Sequence, residues 1–174
     1  MNRSGIRISS GPRYTSRMKP DCIFCKIVAG EAPAHAIWED EQHLAFLTIF
    51  PNTPGFSVVI TKEHQPSYVA DASDEVADGI FRAARTVARK IDAAFDDVGR
   101  TGFIFEGFGV DHLHCKLVPL HGTKDDTWKQ HKSQGDKQFF ETYPGYIVSY
   151  DFDRADDAAL ATIAERIRSA AASQ

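Results

Sequence analysis

Cysteine is scarce in this chain: Cys22, Cys25 and Cys115 are the only three among 174 residues. An odd count, with two at C-x-x-C spacing, excludes a fully paired disulfide framework and points to a reducing compartment with a metal or redox role. Long apolar runs are missing as well. No stretch approaches the roughly 20 residues that a membrane-spanning helix needs. Charge of one sign is not in excess. A formal net charge of −4 provides no general pull toward nucleic acid or an acidic membrane surface. Acids are absent before Asp21, whereas Arg3, Arg7, Arg13, Arg17 and Lys19 fall in that opening stretch. Its composition resembles an organellar transit peptide and lacks the apolar core of a secretory signal. The simpler alternative is that Met18 is the true start. In either case residues 1–20 are expected to form a disordered tail, and residues 21–174 one domain. No internal repeat is visible. Apolar content of 43% and charged content of 25% are ordinary for a globular protein.

The most informative stretch is Asp111–Pro119, in which His112, His114 and Lys116 alternate with Leu113, Cys115 and Leu117. On an extended strand, alternate side chains point to opposite faces. This spacing predicts a strand with two imidazoles and an ammonium facing a cleft, and three apolar groups facing a core. Cys115 is then a core residue and not a catalytic thiol.

Earlier in the chain, Cys22-Ile-Phe-Cys25 offers two thiolates to a metal or forms a redox pair, and a metal would need two further ligands. His35–Trp38 and His43–Ile49 read as two strands of a hairpin around the acidic turn Glu39–Glu41. Residues 50–55 are a Pro/Gly loop. Phe56–Thr61 is a strand rich in β-branched residues, with His64 just beyond its end. Ser73 is an N-cap followed by Asp74 and Glu75 in the first turn. Val76, Ile80, Ala83, Ala84, Val87, Ile91 and Phe95 recur at helical spacing, predicting a helix to about Ala94. Thr101–Glu106 is a strand joined through Gly107-Phe108-Gly109 to the His112 strand, an antiparallel arrangement. Residues 121–140, with Trp128 and His131, read as a long loop, and Tyr143–Tyr150 as a strand. Asp156 or Asp157 caps a last helix with Leu160, Ile163, Ala164, Ile167 and Ala171 on one face. Trp38 and Trp128 are assigned to packing.

Several of these segments fall in one family's order. Cys22–Lys26 with Gly30-Glu31, Glu39–Leu47, Pro54-Gly55, Lys62-Glu-His64 and His112–Pro119 resemble the histidine triad (HIT) superfamily from about Asp21 to Pro119. The resemblance implies an α+β fold, with a meandering antiparallel sheet, one long helix and a C-terminal helix, commonly paired as a homodimer. It implies a nucleotide-binding enzyme acting at the α-phosphate of phosphoramidates, dinucleoside polyphosphates or nucleotide sugars. The middle histidine, here His114, would form a covalent nucleotidyl-histidine. That is reasonable chemistry, because neutral imidazole is a good nucleophile near pH 7. The backbone around Gly107 and Gly109, with Lys116, would surround the phosphate. By the same resemblance Cys22, Cys25, His64 and His112 would hold a structural zinc, a closed tetrahedral set.

The sequence also departs from the family. Lys116 replaces the third histidine. It keeps positive charge and is a poor proton donor, so it is either an electrostatic partner of the leaving group or a salt-bridged strand residue. Thr48 stands where an aspartate often holds the ribose, Phe56 where another histidine follows the Pro-Gly turn, and Phe108 where a glutamine contacts phosphate. The pocket should therefore be more apolar than usual. The sequence-based expectation is a cytoplasmic, zinc-stabilised, dimeric hydrolase or nucleotidyltransferase with His114 and Lys116 catalytic and Thr48, Gly107, Phe108 and Gly109 at the nucleotide. The alternative is a non-catalytic ligand-binding module on the same scaffold.

Overall fold

The computed structural model describes residues 18–124 and 153–170. Residues 1–17 of the expected 1–20 tail, the part of the 121–140 loop bearing Trp128 and His131, the strand at 143–150, and Ala171 with the expected helix end near Ala172 lie outside the described residues. Within them, a short helix α1 (Ile23–Val28) is followed by strands β1 (His35–Glu39), β2 (His43–Leu47) and β3 (Ser57–Thr61). Helix α2 (Asp74–Ala94), strands β4 (Thr101–Ile104) and β5 (His114–Pro119) and helix α3 (Asp157–Ser169) complete the order. The fold is α+β. One antiparallel sheet has the strand order β1-β2-β3-β5-β4. The chain meanders through the first three strands. It then crosses by α2 to the edge strand β4 and returns with β5 between β3 and β4.

Alternation along the strands separates two cores. Ala45, Leu47, Val59, Cys115 and Leu117 pack with Ile80, Ala84, Val87 and Ile91 of α2 and Leu160, Ala164 and Ile167 of α3. Leu44, Phe46, Val58 and Ile60 point the other way, against Ile27 and Val28 of α1, with Ala36 in the same cluster. Every residue of β2 and β3 is therefore buried, as a sheet covered on both faces requires. The apolar stripe predicted for α2 is its buried face. Ser73 caps it as expected, its Oγ accepting from the Val76 N–H at 3.4 Å. Asp156 caps α3 by accepting from the Ala158 and Ala159 N–H groups.

One local element was left unassigned by the sequence reading, and two others differ from it. The Cys22–Lys26 segment is helical, because Cys22 opens a single turn and a half that buries Cys25, Ile27 and Val28. Such a short helix has little propensity signal of its own and depends on tertiary packing. β4 stops at Ile104, and the link to β5 is the irregular stretch 105–113 in place of a tight turn. β5 begins at His114, so His112 precedes the ladder. The alternation still holds through it, since Leu113, Cys115 and Leu117 are all fully buried against α2 and α3.

Leu117 is fully buried at the centre of the larger core. Leu117→Ala is expected to lower the unfolding free energy by about 2–5 kcal/mol, through lost transfer energy and a residual cavity, as read from a urea denaturation midpoint.

Candidate active site and metal centre

The face of β5 opposite α2 carries His114 and Lys116, and α1 lies over it. α1 brings two cysteines to the end of this strand. Cys22 Sγ is 3.4 Å and Cys25 Sγ 3.7 Å from His112 Nδ1, and Cys25 Sγ is 3.5 Å from His64 Nδ1. One ligand atom from each of these four residues lies within 4.8 Å of all the others. A tetrahedral zinc with bonds of 2.0–2.3 Å needs nitrogen–sulfur separations of about 3.6 Å, so the donor set fits this ion.

The surroundings favour the same fit. His112 Nε2–H donates to the Thr61 carbonyl at 2.7 Å, which leaves the Nδ1 lone pair aimed at the sulfurs. Burial pushes the His112 imidazole down to about 4, keeping it neutral as a ligand must be. Burial also lowers His64, assisted by the Lys19 charge. Its Nε2 is buried without a hydrogen-bond partner among the described residues. Burial, with Cys22 alongside, pushes the Cys25 thiol up, while the Lys19 N–H 3.4 Å from its sulfur pulls it down. A cation between the four groups would compensate such thiolates. Cys115, by contrast, is pushed up to about 12 by burial and lies on the core side of β5.

Beside this cluster is a cleft of about 490 Å³ between α1 and the sheet, within the range of small-molecule sites. Ile23, Phe24 and Ile27 of α1 form one wall, and Phe46, Thr48 and Val58 form part of the floor. His114, Lys116, Phe108 and Gly109 line it as well. His114 is nearly buried. Its Nδ1–H donates to the His112 carbonyl at 2.7 Å, so the unprotonated nitrogen is Nε2. Burial is the main cause lowering this imidazole, and the Lys116 charge acts in the same direction, so the neutral form is favoured. Lys116 Nζ donates to Glu106 Oε1, an ion pair with side chains 18% and 5% exposed.

The cleft includes Thr48, Phe108 and Gly109 of the expected nucleotide contacts, and Gly107 is not among its lining residues. Gly107 has φ +72°, and a Cβ there would meet the Ser67 carbonyl at 3.1 Å, so it turns the chain against residue 67. Phe56 lines a separate cavity against α3 and takes no part in the cleft. Thr48 Oγ1 accepts from the Phe50 N–H, while Phe108 is 65% exposed at the mouth. Trp38 packs on the larger core as expected.

A family model described as HIT domain matches residues 29–123, more than half of the chain. The chain belongs to the HIT family. Among its curated relatives, Protein hit of Bacillus subtilis is 37% identical over a 118-residue alignment that covers 64% of this chain and 81% of the relative. An adenosine 5'-monophosphoramidase of Schizosaccharomyces pombe is 36% identical over 99 residues, 56% of this chain and 73% of that one. A Zn-bound histidine triad family protein from Mycobacterium smegmatis superimposes with a TM-score of 0.60 at 26% identity, covering 85% of this chain and 91% of the other. The family match reaches His64, His112 and His114, whereas Cys22 and Cys25 lie upstream of it.

Two residues of this HIT protein escaped the sequence reading. Phe24, between the cysteines, sets its ring edge-on to His112 at 5.8 Å and His114 at 5.6 Å. Glu106 pairs with Lys116. A charged residue closing the apolar run Phe103-Ile104-Phe105 was the available signal for Glu106. Nothing in C-x-x-C spacing marks the residue between the cysteines.

The four-residue cluster predicts about one zinc per chain by elemental analysis. Chelation should expose Cys22 and Cys25 to a thiol-alkylating reagent in the native protein, with Cys115 left unmodified. Peptide mass mapping reads the three sites separately.

Proposed function

We propose that this HIT protein is an enzyme that cleaves a nucleotide derivative at its α-phosphate through a nucleotidyl-His114 intermediate. The observation that carries this reading is the His114 ring itself, neutral and on the cleft wall, with Nδ1–H held by the His112 carbonyl and the Nε2 lone pair left for phosphorus. Nucleotidyl transfer asks mainly for such positioning, and for cations or donors around the phosphate oxygens. Lys116 and the backbone at Gly109 supply those. Thr48 and Phe108 contact the nucleoside part from the floor and the mouth. The phosphoramidase among the relatives supports attack at an α-phosphate. Phosphoramidates, dinucleoside polyphosphates and nucleotide sugars are the substrate classes, with water or another acceptor completing the turnover.

Cys22, Cys25, His64 and His112 would hold a zinc ion in a structural role, since four protein ligands would leave it no open position for substrate. It would compensate the thiolate charge and tie α1 to β5. Residues 21–174 form the working domain. The three unpaired thiols support a cytoplasmic location, and no described helix is long and apolar enough to cross a membrane. The net charge supports a partner other than nucleic acid.

We place the homodimer contact on the α2–β4 side. Phe81 of α2 and Phe103 of β4 are 49% and 36% exposed, with ring centroids 5.9 Å apart. β4 is the outermost strand on this side of the sheet among the described residues, the kind of edge on which a second copy can pair. Phe81→Glu is expected to shift a dimer to monomer in light scattering, with zinc content retained. An unchanged dimer would move the interface elsewhere.

A ligand-binding module without turnover is the second reading, favoured by the Glu106 carboxylate that occupies Lys116. One product assay separates the two. Wild type and His114→Ala are incubated with an adenosine phosphoramidate, a dinucleoside tetraphosphate, a nucleotide sugar and their guanosine counterparts. A nucleoside monophosphate, released at least about 10³-fold faster by wild type, is the expected result. Equal turnover by a folded His114→Ala would end the mechanism, and binding without product would favour the module.

A further inference from the structure

Among the described residues, Lys116 is the one charged side chain beside His114 in the lining of a cleft whose walls are otherwise mostly apolar. Lys116 follows His114 by two positions on β5, so both side chains leave the same face of the strand. Lys116 lines the cleft and its ammonium is bonded to Glu106, which approaches from beyond the end of β4. Removing an ammonium and a carboxylate from water is costly, and apolar residues would close this strand pair as well or better. Ile104, the β4 neighbour of Lys116, does so from the adjacent position. The retained charge is therefore referred to chemistry in the cleft.

We propose that the Glu106–Lys116 pair selects substrates whose leaving group departs as an anion, phosphoanhydrides such as dinucleoside polyphosphates, over phosphoramidates. The inference rests on the reading of His114 as nucleophile. In the anhydride reaction the His114 Nε2 lone pair forms the N–P bond. The bond from the α-phosphorus to the bridging oxygen breaks, and its electron pair stays on that oxygen, which departs as a phosphate oxyanion. The Lys116 ammonium stabilises the developing charge as a fixed cation and transfers no proton. Water oxygen then bonds to phosphorus, the P–N electron pair returns to Nε2, and the water proton passes to solvent.

The phosphoramidate reaction makes a different demand. The electron pair of its scissile P–N bond goes to nitrogen, and the amine leaves readily only when that nitrogen receives a proton. A histidine at the third position of the triad can supply one, as imidazolium with a reference pKa of about 6.5. Lysine as a residue type, at about 10.4, is roughly 10⁴-fold the weaker acid. Glu106 is a positioning residue in this scheme. It accepts from Lys116 and holds the ammonium on the His114 side of the strand.

The test compares kcat for diadenosine tetraphosphate and adenosine 5'-phosphoramidate, and for the guanosine forms of both, using the full zinc-loaded chain. Wild type is expected to favour the anhydride by at least about 100-fold. Lys116→Met should lower the anhydride-to-amidate ratio of kcat values by at least about tenfold, and Lys116→His should move it further toward the amidate. Glu106→Gln should lower the anhydride kcat by about tenfold with KM within about threefold, and Glu106→Asp should recover part of the loss. A merely structural Glu106 would instead depress both substrates equally. The wild-type ratio decides by itself if a variant fails to fold. Wild type that turns over the amidate as fast as the anhydride overturns this inference and leaves the His114 mechanism standing, as does a ratio unchanged in folded Lys116→Met. Product from neither class overturns the His114 reading, and this inference with it.

Discussion

One hydrogen bond, from His112 Nε2–H to the Thr61 carbonyl, orients the ring on which the rest of the site depends. It turns Nδ1 toward Cys22 and Cys25 and so sets the place of α1 over the sheet. α1 is too short to be stable in isolation. It is held by the apolar contacts of Ile27 and Val28 on one side and by its cysteines at His112 and His64 on the other. Once placed, it presents Phe24 to the rings of His112 and His114 and builds one wall of the cleft. The metal-ligand cluster and the cleft are thus two sides of the same short helix.

The sheet supplies the second constraint. Because β2 and β3 carry a core on each face and β5 packs its α2 side into the larger one, a side chain on these strands either joins a core or opens into the cleft beside α1. His114 and Lys116 leave the strand on the α1 side, and the space there is lined by Phe46, Val58 and the α1 residues. In such surroundings a lysine requires compensation, and Glu106 provides it. The His114 ring is desolvated by the same packing, which favours its neutral form. The neutral form of His114, the Glu106–Lys116 pair and the apolar cleft therefore have a common origin in how deeply this strand face is covered.

Much of this was legible in the chain. The alternation of His112, His114 and Lys116 with Leu113, Cys115 and Leu117 is a period-two signal, and the apolar members do join the larger core, although His112 and His114 are buried as well. The stripe from Val76 to Ile91 and the Ser73 cap marked α2 because helical periodicity over 21 residues is hard to produce otherwise. The resemblance named four metal-ligand positions that the structure brings within 4.8 Å. Other features carried weaker marks. The Gly107–Gly109 stretch read as a hairpin turn, yet the link between β4 and β5 is longer, and Gly107 turns against Ser67 outside the cleft lining. Phe56 stands where the family has a further histidine and faces a different cavity in space.

The sequence by itself determined the elements and their faces, because strand and helix periodicities are local properties of neighbouring residues. The family resemblance added the candidate site residues Cys22, Cys25, His64, His112, His114 and Lys116, which motif order in the chain singles out. Only the tertiary structure decided which residues meet across long separations. The pairing of Glu106 with Lys116, the Phe24 ring against two histidines and the exclusion of Gly107 and Phe56 from the cleft all depend on how α1 and the 105–113 segment lie against the sheet. Those placements are set by packing and by the pairing of buried charge, which act between residues distant in the chain and leave no periodic trace in it.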